Sequence, residues 1–167
     1  MQTLRRFVLA LGFAISVVVL PASTAAAAST YPDNFTGFEI AATSTQGTFV
    51  GNTTGALPGP WEAVIVHTVL APNATITGGS LQLDTALNGQ PLKVAGTFNP
   101  GGTVTLLTTS TGCTNQRYAL TDGLQILAGG NPGTGQFSGV LTHHRAVIFG
   151  SCRTYAATVA GSVSLIF

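Results

Sequence analysis

The most polar cluster of this chain is His143-His144-Arg145, which interrupts an otherwise apolar segment. Neighbouring residues of a β-strand point to opposite faces, so the two histidines cannot bind one metal ion together. We expect one imidazole to point into the core, where it can donate or accept a proton near neutral pH. A hydrogen-bonded histidine of the core or rim, without a catalytic role, is the alternative interpretation.

A second segment whose side chains could take part in binding or catalysis begins at Trp61. Trp61 and His67 share one face of the predicted strand, and Glu62 lies on the other. Both faces are substantially apolar, which is typical of a strand covered on both sides or of a dimer contact. An inward Glu62 would be a candidate base or a partner for Arg145 or Arg153, because a buried charge needs pairing. An outward Glu62 would be an ordinary solvated carboxylate.

These patterns give two sets of candidates and exclude some chemistry. The candidate catalytic residues are His143, His144, Arg145, Glu62 and Tyr155, and the candidate ligand-binding residues are Trp61, His67, Phe137 and Tyr155. A Gly-x-Ser-x-Gly motif is absent, and the five carboxylates are widely scattered, so a hydrolase is not expected. We predict no metal site and no cofactor.

Cys113 and Cys152 are the only cysteines of the chain. If the protein is exported, an oxidising environment favours a disulfide between them. A shared metal or a reactive thiol is the alternative, but the sequence has no Cys-x-x-Cys spacing or suitably placed histidine to support it.

The N-terminal residues are typical of a secretory signal peptide. Arg5 and Arg6 precede an apolar run from Phe7 to Leu20, and a stretch of small residues ends at Ala28. We therefore expect residues 1–28 to be removed and the protein to be secreted. No later apolar run has the ~18 residues that a membrane-spanning helix needs.

The charges of residues 29–167 are few and dispersed. Four basic residues stand against five acidic ones, which gives a net charge of −1. Nucleic acids and anionic membrane surfaces are bound by clustered lysine and arginine. The sequence therefore argues against both as primary partners.

The pattern after the leader predicts an all-β protein. Period-two alternation bounded by glycine and asparagine recurs to the C-terminus, and helical periodicity is absent. Long strands would leave exposed edges in an open sheet, so we expect residues 29–167 to form a single antiparallel β-barrel of about eight strands. Predicted strands span 47–50, 61–70, 80–85, 92–98, 104–106, 117–120, 124–127, 136–149 and 152–167, with 92–98 and 104–106 forming a hairpin around Asn99-Pro100-Gly101-Gly102.

The two ends of the predicted barrel differ in pattern. Residues 29–38 show no clear period and are expected to form a loose arm. The odd-numbered residues from Tyr155 to Phe167 are mostly apolar, so this face should point into the core. A terminal Phe167 also fits the closing strand of an outer-membrane barrel, but most predicted strands are shorter than the ~9–11 residues such barrels need.

Glycines around the penultimate strand carry a family resemblance. A strand ends in Gly129-Gly130, and Gly133-x-Gly135-x-Phe137-x-Gly139 opens the next one. This stretch resembles the corresponding part of dirigent and allene oxide cyclase barrels, which implies a barrel with a pocket for an apolar ligand. A phosphate-binding loop is the alternative interpretation of the same glycines, but no helix N-terminus follows them to bind the anion.

Three functions fit these observations. A secreted barrel that binds a small apolar ligand in its interior is favoured by the closed sheet and the low charge. A cyclase or isomerase of the allene oxide cyclase type, using an inward histidine, is the alternative that the resemblance implies. Convergence of polar side chains inside a cavity would favour this enzyme. A structural or surface-interaction module is the third function, and a filled interior without a cavity would favour it.

Overall fold

A computed structural model describes residues 27–108 and 112–167. The predicted leader lies outside the described residues, apart from Ala27 and Ala28. The described chain is all-β, as the alternation predicts. Its strands are β1 Thr30–Ala42, β2 Gln46–Gly55, β3 Gly59–His67, β4 Ala74–Leu87, β5 Gln90–Phe98, β6 Thr103–Leu106, β7 Gln116–Ala128, β8 Asn131–Ile148 and β9 Ser151–Ile166.

The sheet closes into an antiparallel barrel with eight strand positions. Its order is β3-β2-β1-β9-β8-β7-β5-β4, and pairing of β3 with β4 completes the circle. The ninth strand, β6, pairs with β4 and β7, the same two neighbours that flank β5. The predicted single barrel is confirmed, and closure protects the long strands from exposing their edges.

The predicted hairpin between residues 92 and 106 is wrong. Strands β5 and β6 lie end to end between β4 and β7 and do not pair with each other. The residues between them stay bonded to both neighbours: Asn99 N donates to Gly123 O at 2.9 Å, and Gly101 N donates to Ile76 O at 2.9 Å. Asn99 to Gly102 therefore interrupt a single strand of the barrel, of which β5 and β6 are the two parts, and do not reverse the direction of the chain.

The predicted loose arm at residues 29–38 is also wrong. This segment belongs to β1, which pairs with both β2 and β9. Its inward positions include Asp33 and Gly37 beside Phe35, so the apolar alternation that signals a strand was interrupted in the sequence.

An aromatic cluster fills the middle of the barrel. The Phe35 and Phe137 rings stack with centroids 4.7 Å apart, and Trp61 and Phe98 meet them edge to face at 5.7 and 5.6 Å. Leu57, Leu83 and Leu165 are fully buried and belong to the same core. This packing leaves a space of only about 20 Å³ among these side chains, so a larger internal cavity can exist only towards an end.

The two ends of the barrel are built differently. One end, here called the mouth, is formed by the β1–β2, β3–β4, β6–β7 and β8–β9 connections. The opposite end carries the β2–β3, β4–β5 and β7–β8 connections and the pairing of Thr30 with Ile166. There the rings of Tyr31 and Phe167 stack at 4.5 Å.

The predicted disulfide is confirmed at the mouth. Cys113 and Cys152 are bonded, with Cα atoms 5.5 Å apart, so the β6–β7 connection is tied to the start of β9. A disulfide indicates an oxidising environment. Within residues 27–108 and 112–167, no helix has the length and apolar character needed to cross a membrane.

The outer face of the sheet is rich in uncharged polar side chains. One continuous cross-strand row consists of exposed residues with hydroxyl or amide side chains, Thr54, Asn34, Ser162, Ser138, Thr121, Thr103 and Thr75. The core is apolar inside this layer. This polarity is the reverse of that in an outer-membrane barrel, whose lipid-facing side is apolar.

Candidate functional site at the barrel mouth

A cavity of about 330 Å³ opens at the mouth, above the aromatic cluster. Its buried floor consists of inward residues from five strands, Phe49, Ile65, Val104, Leu120 and Leu141. Polar residues are concentrated nearer the opening, among them Glu39, Thr43, Ser44, Gln46, His67, His143 and Thr154. The cavity thus combines an apolar floor with a small set of hydrogen-bonding groups.

His143 is the inward histidine of the β8 pair, as the alternation predicts. It lines the cavity beside Leu141, and its ring centroid lies 5.3 Å from that of Tyr118. Burial lowers the pKa of His143, and the nearby charges of Arg145, His144 and His67 act in the same direction. A lowered pKa keeps this imidazole neutral at physiological pH, so one ring nitrogen donates and the other accepts a hydrogen bond.

His67 lines the same cavity from the end of β3. Its Nδ1 is 2.7 Å from the carbonyl oxygen of Thr68. A carbonyl only accepts hydrogen bonds, so Nδ1 carries the proton in this contact and Nε2 is left for another partner. His67, a predicted ligand-binding residue, therefore lies in the lining of this cavity.

Glu39 is the carboxylate that the structure adds to this site. It is half-buried near the end of β1, and burial raises the pKa of its carboxyl above the ordinary value. The sequence does not place Glu39 in the site, because it predicts a loose arm for the preceding segment, residues 29–38. Glu39 and Phe35 are separated by an even number of residue steps, so they lie on the same face of a strand. This was the feature of the sequence that could have placed Glu39 inside the barrel.

His144 and Tyr155 lie together on the outer face, away from the cavity. His144 Nε2 is 3.0 Å from Thr158 Oγ1, and its ring centroid lies 6.3 Å from that of Tyr155. The prediction that Tyr155 points inward with Ala157 is wrong. The register shifts between the pairs His144–Ala156 and Arg145–Thr154, and Tyr155 is the extra residue of this bulge.

The remaining candidates occupy three different places. Glu62 is exposed on the outside of β3, so the inward alternative for this residue is wrong. Trp61 and Phe137 are buried in the aromatic cluster, where Trp61 Nε1 donates to Thr36 O at 3.2 Å. Arg145 is half-buried beside the mouth, and its backbone N donates to Asn115 Oδ1 at 3.0 Å.

Two buried carboxyl groups lie outside the cavity lining. Asp33 Oδ1 accepts from Leu57 N at 2.8 Å, and Asp122 Oδ1 accepts from Gly123 N at 2.7 Å. Within the described part of the chain, the Oδ2 atom of each has no hydrogen-bond partner. Burial raises the pKa of both carboxyls, and the backbone donors oppose that effect only in part. Neither carboxyl lines the mouth cavity.

The residues of the site and the comparisons with known proteins do not identify a cofactor. Among the described residues, no three His, Cys, Asp or Glu side chains are grouped so that they could hold a metal ion. No family model, curated protein or solved structure has significant similarity to the chain. The function of the cavity is therefore inferred from its own residues.

Proposed function

We propose that this protein is a secreted β-barrel that binds a small, largely apolar ligand in the mouth cavity. The observation that carries the proposal is the cavity of about 330 Å³ with an apolar floor and polar groups near its opening. Small-molecule sites typically combine an apolar lining with a few polar groups, and this volume lies at the lower end of their range.

The titrating groups of the cavity support a neutral ligand. The raised pKa of Glu39 and the lowered pKa of His143 both favour the uncharged forms. Uncharged groups cost less to desolvate when an apolar molecule covers them. The imidazoles and the hydroxyl groups of the rim can still bond one polar group of the ligand.

Export is the second part of the proposal. The signal-like residues 1–28 and the Cys113–Cys152 disulfide both support an extracellular location. The resemblance to dirigent and allene oxide cyclase barrels also remains a proposal. It is supported by the β7–β8 hairpin, in which Gly129-Gly130 forms the turn and Gly133 to Gly139 lie in the penultimate strand.

Titration with the neutral fluorescent probe N-phenylnaphthylamine tests the proposed binding. Ala42 and Ala41 are adjacent exposed residues, but only Ala42 lines the cavity. Ala42→Trp should obstruct the opening and weaken probe affinity at least tenfold, which corresponds to about 1.4 kcal/mol. Ala41→Trp is the matched control and should leave the affinity within twofold. Equal effects of the two substitutions, or absence of saturable binding, would reject the cavity as the site.

A cyclase or isomerase is the second candidate, favoured by the presence of Glu39 and His143 in one cavity. A carboxyl group and a neutral imidazole are suited to moving a proton between carbon and oxygen of a bound carbonyl compound. Deuterium exchange at the α-carbons of cyclohexanone, followed by NMR, tests this chemistry. Exchange above the buffer rate that is lost in Glu39→Gln supports an enzyme, whereas a rate equal to buffer supports binding alone.

A further inference from the structure

The β8–β9 hairpin extends beyond the rest of the barrel. Pairing of β7 with β8 ends at His143, and pairing of β1 with β9 ends at Thr158. Residues 144–156, here called the hairpin extension, form strand pairs only with one another. The disulfide at Cys152 and the hydrogen bond from Arg145 to Asn115 hold the extension at the mouth.

The tip of the hairpin extension is apolar and faces solvent. Phe149 is 103% exposed and Val147 is 66% exposed, with Ile148 between them. Of the ten exposed large hydrophobic residues among those described, eight belong to the mouth half, namely Phe38, Ile40, Val69, Leu107, Val147, Ile148, Phe149 and Tyr155. A concentration of exposed apolar side chains at one end marks an interaction surface.

The turn at the tip contains an unexpected residue. Three hairpins of this barrel have two-residue loops in which both residues have positive φ, as a type I′ turn requires. At the opposite end these loops are Asn88-Gly89 and Gly129-Gly130, which suit that conformation. At the mouth the loop is Phe149-Gly150, with φ of 50° and 74°. A phenylalanine in this conformation is strained and, being fully exposed, gains no packing in the folded chain.

The fold also separates charge along the barrel. Arg117, Arg145 and Arg153 all lie in the mouth half, where Glu39 is the single carboxylate among the described residues. The other described carboxylates, Asp33, Glu62, Asp84 and Asp122, lie in the rest of the barrel, where Lys93 is 2.8 Å from Asp84. Apolar side chains accompanied by cations complement the surface of an anionic bilayer, which offers both negative headgroups and hydrocarbon.

We propose that the hairpin extension docks the barrel mouth onto an anionic lipid surface. Val147, Ile148 and Phe149 enter the interface between headgroups and acyl chains, and Arg145 and Arg153 lie against the headgroups. Docking in this orientation places the opening of the cavity at the membrane, from which an apolar ligand enters without crossing water. The docking itself does not depend on occupancy of the cavity, so it can fail or succeed independently of the proposed ligand binding.

Cosedimentation with vesicles tests this proposal. The exported protein, with its N-terminus verified by mass spectrometry so that no leader remains, is mixed with vesicles of equimolar phosphatidylcholine and phosphatidylglycerol or of phosphatidylcholine alone. We expect binding to the anionic vesicles at least fivefold above the neutral ones, decreasing at ~0.5 M salt because the Debye length shortens. Absence of binding to anionic vesicles would overturn the proposal.

Two matched pairs of variants distinguish docking from a structural role. Phe149→Asn should raise the melting temperature, because asparagine suits the turn, and should reduce vesicle binding at least fivefold. Leu127→Asn removes an apolar side chain of 49% exposure near the opposite end and should leave binding unchanged. Arg153→Gln should weaken binding to anionic vesicles, whereas Lys93→Gln should not. If Phe149→Asn abolishes self-association and leaves lipid binding intact, the tip contacts a second copy of the chain and the proposal is wrong.

Discussion

Glu39 lies directly against Gly47 across the β1–β2 pair, and a β-carbon at residue 47 would come 2.6 Å from Glu39 Oε1 and 2.7 Å from the Phe49 ring. Both Glu39 and Phe49 line the mouth cavity. The absence of a side chain at Gly47 therefore makes room for the carboxyl group and for part of the floor.

Gly47→Ala should displace the Glu39 side chain or the Phe49 ring and destabilise the fold by about 1–3 kcal/mol, the usual cost of overpacking. A double-mutant cycle with Glu39→Ala measures how much of the effect comes from the carboxyl. Denaturant unfolding should show a smaller cost of Gly47→Ala in the Glu39→Ala background, with a coupling above about 0.5 kcal/mol. Strict additivity would show that Glu39 does not occupy the space beside Gly47.

The buried carboxyls predict an unusual dependence of stability on pH. Because the pKa values of Asp33 and Asp122 are raised in the folded state, the folded protein retains protons that the unfolded chain releases. These groups therefore oppose folding at neutral pH, and their penalty disappears as pH falls through the raised pKa values towards the ordinary value of 3.8. His143 acts oppositely, because its lowered pKa costs stability as pH falls below 6.5.

The Asp33→Asn/Asp122→Asn double variant separates these effects, since the contribution of His143 is common to both proteins. The free energy of unfolding of the wild type, relative to the double variant, should increase as pH falls from neutral towards 4. A relative stability that is constant over this range would show that the two carboxyls titrate alike in the folded and unfolded states.

The disulfide should contribute substantially to stability. Cys113 and Cys152 are 39 residues apart, and closing a loop of this size stabilises a fold by about 4 kcal/mol in the chain-entropy model. Urea unfolding of Cys113→Ser/Cys152→Ser is expected to show a loss of about that size. A loss below ~1 kcal/mol would indicate that the bridge does not restrict the unfolded chain.

Export predicts a defined N-terminus. Intact-mass measurement of the protein recovered outside the cell should give a chain that begins between Ala27 and Ser29. Ser29 is already tied to Phe167 by backbone hydrogen bonds of 3.0 and 3.2 Å, so cleavage at these positions preserves the barrel. Recovery of the intact chain from the cytoplasm would contradict export.

The sequence predicted the closed barrel, the disulfide and the opposite faces of His143 and His144, because alternation and cysteine pairing are local signals of strong physical constraints. It did not predict the strand at residues 30–42, whose inward face contains a buried aspartate, or the bulge that turns Tyr155 outward. Both departures depend on contacts between distant strands.

The candidate site was likewise only partly predictable from the sequence. His67 and His143 were identified as candidates, but Glu39 and the apolar floor become neighbours only when the sheet closes. The distribution of charge is a further example. Arg117, Arg145 and Arg153 are dispersed along the chain, so the sequence shows no basic cluster that would favour an anionic membrane surface. The fold places all three in the mouth half of the barrel.

Methyl NMR of the protein titrated with N-phenylnaphthylamine tests most directly where an apolar ligand binds. The predicted result is that shift changes concentrate on the methyl groups of Ile65, Val104, Leu120 and Leu141 and spare the fully buried Leu83 and Leu165. Changes confined to Leu83 and Leu165, or to outward methyl groups, would contradict the mouth cavity as the binding site.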